Sequence, residues 1–401
     1  MKKIIRVLTA LATGLALAAP GTLATPAAAA AVPAAAPAGT SRLELPRPTG
    51  AFAVGRDTLH LVDRERKDPW VPTADRELLL SLYYPALAHT GTPAPYMAVP
   101  EAKALLTDRG RLGEYVTPER VAATRTHARH NALPRPAAHR YPLVVLSPGF
   151  TLPRASLSTP AEDLASRGYV VAAVDHAYES DGTVFPGGRT LSCTACAQVF
   201  PDGSLHRVSD GRARDIPFVL DQLTGPRPAW RYSWLIDSRR IGMAGHSIGG
   251  AAASATMAAD PRVDAGVNMD GTFFTPIPEG GLGGRPFLML GGDPALLPPD
   301  FPDTSWEDGW PRLDGWKRWL TVTGAGHPGF TDWPVLGDEA GYPHPETPLS
   351  GTRSQQITRA YVGDFFDLHL RGMPAPRLDA PTAADPEVVF HRSRARSSPR
   401  A

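Results

Sequence analysis

Ser247 sits in the stretch Gly245-His246-Ser247-Ile248-Gly249, with an apolar run before it and the segment AAASATMAAD after it. Gly-x-Ser-x-Gly between a strand and a helix is the pattern of a nucleophilic serine on a tight turn. Glycines two before and two after the serine let neighbouring backbone come close. Such a turn lifts the hydroxyl to the C-terminal edge of a sheet. It also leaves the Ile248 amide at a helix N-terminus, where donors are unpaired and the dipole favours negative charge. The chemistry implied is attack on a carbonyl carbon with stabilisation of the resulting oxyanion. A serine that merely caps a helix is the competing reading. The apolar run before it and the Ala-rich helix after it favour the nucleophile.

A serine hydroxyl needs a base, and the chain has twelve histidines. Most lie in polar stretches. His327 differs: it follows an apolar run, in Gly324-Ala-Gly-His-Pro-Gly329, ahead of the last helical segment. In sites of this kind the base comes last in chain order, so His327 is the expected partner and His344 the alternative. His176 ends an apolar strand and is a candidate to line the site. His246 adjoins the serine and should point away from it. For the acid, Asp270 ends the strand after the serine and Asp293 ends the strand after that. Either can orient an imidazole and stabilise its protonated form, and the residues alone leave the choice open.

Strands are expected at 77–85, 141–150, 169–176, 239–247, 263–271, 285–293 and 317–327. Helices are expected at 160–168, 209–224, 247–259 and 352–372. In the helix at 209–224, Pro217 is expected in the first turns. Alternation of this kind predicts an α/β fold: a mostly parallel sheet with helices on both faces. Residues 86–140 read as a cap or irregular insertion and 177–208 as a long loop. Residues 1–30 resemble a signal peptide, with a basic start and an apolar stretch too short to span a bilayer comfortably. An Ala/Pro-rich spacer follows at 31–44, then a single domain at 45–392 and a polar tail at 393–401. This predicts a secreted, extracellular protein.

Net charge is +1, which gives no reason to expect a nucleic-acid partner. The two cysteines, Cys193 and Cys196, are expected to form a disulfide in an exported chain. A redox or zinc site built on them is the rival, but zinc needs two further ligands that the neighbouring sequence does not offer. Phe273, Phe274, Trp306, Trp310, Trp316 and Trp333 follow the later strands, where they either pack loops or line an acyl pocket.

Several stretches together resemble the platelet-activating factor acetylhydrolase family (plasma and intracellular type II), including its bacterial members. They are LPRPTGAFAVGRDTLHLVD with RELLLSLYYPA, VVLSPGF with EDLASRGYVVAAVDH, GHSIGG, NMDGTFF and GHPGFTD. The resemblance implies an α/β-hydrolase fold and a triad of Ser247, Asp270 and His327, with Asp293 second choice as the acid. It places the oxyanion on the backbone amides of Phe150 and Ile248. Where the family usually has His-Gly before its donor, this sequence reads Ser147-Pro148-Gly149-Phe150. The implied reaction is ester hydrolysis through an acyl-enzyme, without metal or organic cofactor. The implied substrates are small esters or lipids, down to a short sn-2 acyl group on a phospholipid, with contact to a lipid interface and no stable protein partner. A broad lipase, cutinase-like or polyester hydrolase is the alternative, and a non-catalytic binding protein on a hydrolase scaffold the alternative of another class.

Overall fold

The computed structural model describes residues 42–394, apart from 109 and 298–302. The expected signal peptide at 1–30 and most of the spacer lie outside the described residues. The strands are β1 (Ala53–Lys67), β2 (Asp75–Ala86), β3 (Thr92–Pro95), β4 (Arg125–His130), β5 (Tyr141–Ser147), β6 (Val170–His176), β7 (Thr183–Phe185), β8 (Arg189–Leu191), β9 (Ile236–His246), β10 (Ala265–Met269), β11 (Phe287–Gly291), β12 (Lys317–Val322) and β13 (Val388–Arg394). The helices are α1 (Val99–Asp108), α2 (Pro118–Ala122), α3 (Ser158–Arg167), α4 (Thr194–Val199), α5 (His206–Thr224), α6 (Ile248–Ala259), α7 (Ser305–Gly309), α8 (Trp333–Ala340) and α9 (Gly351–Arg371).

Eleven strands form one sheet in the order β13-β12-β11-β10-β9-β5-β6-β2-β1-β4-β3. The six from β12 to β6 run parallel, and the two strands that flank them, β13 and β2, are antiparallel to their neighbours. β5 and β6 are buried at every position, as strands covered on both faces must be. Their side chains alternate between two cores. Val144, Leu146, Val171 and Ala173 pack with residues of α3 and α9. Leu143, Val145, Val170 and Ala172 pack with residues of α5 and α6. This is the α/β-hydrolase architecture.

Several expectations change. Residues 86–140 are not only an irregular insertion: β3 and β4 extend the sheet, and α1 and α2 pack with Trp333, Val335 and Leu336 of α8. The stretch 177–208 holds the β7–β8 hairpin and α4. α5 starts at His206, so Pro217 lies well inside the helix rather than in its first turns. Leu43, counted with the spacer, is fully buried, and Glu44 bridges to Arg125. At the other end, Ser393 and Arg394, counted with the tail, pair with Arg318 and Lys317 in β13. Both segments are short, too short for their alternation to stand out in the sequence. Among the described residues, no helix is long and apolar enough to cross a membrane.

Candidate active site

The C-terminal ends of the parallel strands carry unusual backbone. Of the six non-glycine residues with positive φ among the described residues, four follow them closely: Thr151 after β5, Tyr178 after β6, Ser247 after β9 and Asp270 after β10. Such conformations cost on the order of 1–3 kcal/mol each and concentrate where a site over-determines them. Ser247 has φ 55° and ψ −127° at the junction of β9 and α6. The turn tolerates nothing larger than glycine beside it. A Cβ on Gly245 would lie 2.1 Å from the Gly249 carbonyl carbon, and one on Gly249 would lie 2.0 Å from the Ser147 oxygen.

Sheet register brings the acid alongside. Met269 pairs with His246, so the next residues, Asp270 and Ser247, leave adjacent strands together. Asn268 shapes the turn after β10 by accepting the Gly271 amide at 2.8 Å and donating to the Gly271 carbonyl at 2.7 Å. His327 arrives from the loop after β12. Its Nε2 lies 3.0 Å from Ser247 Oγ and its Nδ1 lies 2.7 Å from Asp270 Oδ2. An ionised carboxylate only accepts, so Nδ1 carries the proton and Nε2 faces the hydroxyl with its lone pair. Burial pushes the Asp270 carboxyl up, but the His327 hydrogen bond and charge outweigh this. With the Gly292 amide, which donates to Oδ1 at 2.7 Å, they hold Asp270 below the usual carboxylate range.

Asp293 makes no contact with His327. Its Oδ1 accepts the Ala295 amide and its Oδ2 the Gly324 amide. His344 is also elsewhere, beside Glu346 and Tyr342. His246 packs against the base: its Nε2–H donates to the His327 carbonyl at 2.8 Å, and the two rings lie 4.7 Å apart. Of the aromatics singled out from sequence, Phe274 packs with Phe150, Phe200 and Tyr178 against the cluster that holds Ile248, the residue after Ser247. Phe273 and Trp306 pack in the core. Trp310 leans on that core, while Trp316 and Trp333 lie in other clusters. Cys193 and Cys196 are joined as a disulfide across the start of α4, the helix that leads to Phe200. Among the described residues, no group of His, Cys, Asp and Glu is arranged to hold a metal ion.

The turn from Ser147 to Thr151 is held from beneath by charges that the sequence did not reveal. Arg212 of α5 donates from Nη1 to the Pro148 carbonyl and to Ser147 Oγ, and from Nε to Glu179 Oε2 at 2.8 Å. The Glu179 carbonyl accepts the Thr151 amide at 2.9 Å. Between these two anchors, the Phe150 amide has no acceptor among the described residues, and neither has the Ile248 amide. Arg76 joins Glu179 to Asp68 and Asp215. His176 belongs to this network and not to the site surface. Its Nδ1 meets Asp215 at 2.7 Å and its Nε2 meets Ser147 Oγ at 3.2 Å. Burial and the Arg212 charge push its pKa down against the pull of Asp215.

Three comparisons bear on this arrangement. Residues 38–185 match the family described as platelet-activating factor acetylhydrolase, isoform II. A protein of Arthroderma benhamiae described as a probable 1-alkyl-2-acetylglycerophosphocholine esterase is 31% identical over 375 residues, covering 86% of this chain and 93% of that protein. A ferulic acid esterase of Streptomyces cinnamoneus has a solved structure that superposes with TM-score 0.77 at 44% identity. That match covers 88% of this chain and all of the other. The chain therefore belongs to the platelet-activating factor acetylhydrolase isoform II family, as a carboxylic ester hydrolase of the α/β-hydrolase fold.

Proposed function

We propose that Ser247, His327 and Asp270 form a catalytic triad that hydrolyses esters of short acyl groups through an acyl-enzyme. The continuous hydrogen-bonded line from Ser247 Oγ through His327 to Asp270 carries this reading. As Oγ bonds the ester carbonyl carbon, His327 Nε2 takes its proton, and Asp270 stabilises the imidazolium. The carbonyl oxygen becomes an oxyanion facing the amides of Phe150 and Ile248. His327 then returns its proton to the leaving alcohol. Water attacks the acyl-enzyme by the same route, losing a proton to His327 while Ser247 Oγ regains one, and the acid departs.

The finer substrate class is a short sn-2 acyl group on a phospholipid, in keeping with the Arthroderma benhamiae relative's description. A second reading, an aromatic acyl group, is favoured by Phe150, Phe200 and Phe274, which pack against the cluster that holds Ile248. The Streptomyces cinnamoneus esterase supports it. The protein acts outside the cell in either case, by the leader-like character of residues 1–30.

An acyl series decides between these. It runs from acetyl to palmitoyl p-nitrophenyl esters, with a 2-acetyl phospholipid and methyl ferulate as the two diagnostic substrates. A kcat/KM highest on the acetyl phospholipid supports the first class, and one highest on methyl ferulate the second. Hydrolysis that persists unchanged in Ser247→Ala overturns the mechanism.

A further inference from the structure

A cavity of about 410 Å³ opens over β1 and β2 on the face of the sheet that carries α3. Ser81 and Tyr83 of β2 and Arg56 and Thr58 of β1 form its floor. The approach to α1, the turn at 153–155 and the β7–β8 hairpin wall it in. Neither Ser247 nor Asp270 nor His327 lines it. It lies within the size range of small-ligand sites.

Its singular feature is Arg56, only 6% exposed. The other buried arginines each have a carboxylate within 4.0 Å: Arg76 has Asp68, Arg212 has Glu179, Arg318 has Asp379 and Arg359 has Asp163. Arg56 has none among the described residues. Its Nη2 donates to the Pro95 carbonyl at 2.6 Å and to His130 Nε2 at 3.3 Å, and its Nε is buried with no acceptor. His130 does not neutralise it. The His130 Nδ1–H faces the Arg56 carbonyl, so Nε2 serves as an acceptor on a neutral ring. Burial and the Arg56 charge both push the His130 pKa down.

The remaining charges at the cavity are already engaged. Arg154 is paired with Asp175 and bonded to Ser81. Glu101 accepts the Ala98 and Val184 amides. Behind the wall, Glu162 accepts the His127 and Ala128 amides and feels Arg56 only through space. A buried cation without a counter-ion is costly. Arg56 lines the cavity with no carboxylate paired to it among the described residues, and its guanidinium can donate charge-assisted hydrogen bonds to an anion bound there.

We propose that this cavity is a binding site, separate from the Ser247 site, for a small ligand bearing a carboxylate or phosphate group, with Arg56 as its counter-ion. Thr58, on the floor, is exposed to solvent.

The test uses the full chain as wild type, Arg56→Gln, Thr58→Glu, Thr58→Gln and Ser247→Ala. Each is titrated calorimetrically with sodium phosphate, sodium acetate and glycerophosphocholine at matched ionic strength in chloride. Wild type, Ser247→Ala and Thr58→Gln should bind at least one of these saturably and alike. Arg56→Gln and Thr58→Glu should bind it at least ~10-fold more weakly, the first by losing the charged donor and the second by adding a repelling carboxylate. If Arg56→Gln does not fold, Thr58→Glu at its exposed position decides, with Thr58→Gln controlling for size. Tightest binding of glycerophosphocholine assigns a lipid headgroup, of phosphate a free phosphate, and of acetate a carboxylate. The proposal fails if wild type binds none of the three, if Thr58→Glu binds as wild type does, or if Ser247→Ala abolishes binding. The last result places the ligand in the Ser247 cleft and leaves the hydrolase reading standing.

Discussion

The Asp293 carboxylate accepts the Gly324 amide at 2.8 Å, three residues before His327. The Asp293 amide in turn donates to the Ala325 carbonyl at 2.7 Å. Asp293 thus shapes the loop that delivers the imidazole, while Asp270 touches the imidazole itself. The two aspartates differ in kind, and substitution separates them. Asp270→Asn should lower kcat on p-nitrophenyl acetate by ~10²–10⁴-fold, because the imidazole loses its tautomer and its counter-charge. Asp293→Asn keeps an oxygen for the Gly324 amide and should lose less than ~10-fold. A dead Asp293→Asn beside an active Asp270→Asn would reverse the assignment.

Arg212 offers a test of the oxyanion turn from below. It holds the Pro148 carbonyl and the Glu179 carboxylate at once, so its removal frees the turn and unbalances a buried charge network. Arg212→Met should destabilise the fold by about 3–5 kcal/mol, the usual result of stranding a buried partner. Measured well below the melting temperature, its kcat should fall by ~10-fold or more with little change in KM, because the Phe150 amide acts on the transition state more than on bound substrate. Arg212→Lys should regain stability before it regains kcat, since an ammonium lacks the two-pronged reach of a guanidinium. Equal loss of stability with kcat untouched would make Arg212 purely structural.

The pH dependence of stability should carry the mark of Asp332. Its carboxylate accepts the Ser158 and Thr159 amides at the start of α3. Burial nevertheless pushes its pKa up to about 7, against those hydrogen bonds and with help from Glu162. A carboxyl with a raised folded pKa holds its proton in the fold after the unfolded chain has lost it. Stability from this group therefore falls as pH rises from about 4 to about 7, by an order of a few kcal/mol, and is level above that. Asp270 has the opposite sign. Its depressed pKa contributes stability above the unfolded value near 4 that is lost as pH falls through the folded one. Chemical denaturation of wild type and Asp332→Asn from about pH 4 to 8 checks this. Because Asp68, Glu162, Asp175 and Asp264 are raised in the same direction, the variant should keep a shallower decline between about pH 4 and 7, and an unchanged slope would remove Asp332 as a contributor.

The central sheet was legible because its signals are local. Buried parallel strands are mostly apolar, and β5, the Val170–Val174 part of β6 and the Ile241–Ala244 part of β9 announce themselves as apolar runs. The turn at Ser247 is local too, because glycines on both sides are demanded by backbone contacts within a few residues. The outer strands β1, β3, β4 and β13 are not legible in the sequence, since strands with exposed positions and charged residues carry weaker patterns. Pro217 misled for a related reason. The helix start at His206 carries no side-chain cap to mark it, and the proline was read as a first-turn residue.

By itself the sequence determined the serine, its turn, the order of strands and helices, and a short choice of histidines and aspartates. The resemblance to a known family then favoured Asp270. Tertiary structure decided which side chains meet. Asp270 leaves β10, the strand next to β9, whereas Asp293 follows β11, one strand further out. Arg212 reaches Pro148 across 64 residues of chain, and among the described residues Arg56 lacks the acid that the other buried arginines have. Hydrogen bonds and ion pairs act over a few ångströms, so sheet order and register, not separation along the chain, settle them.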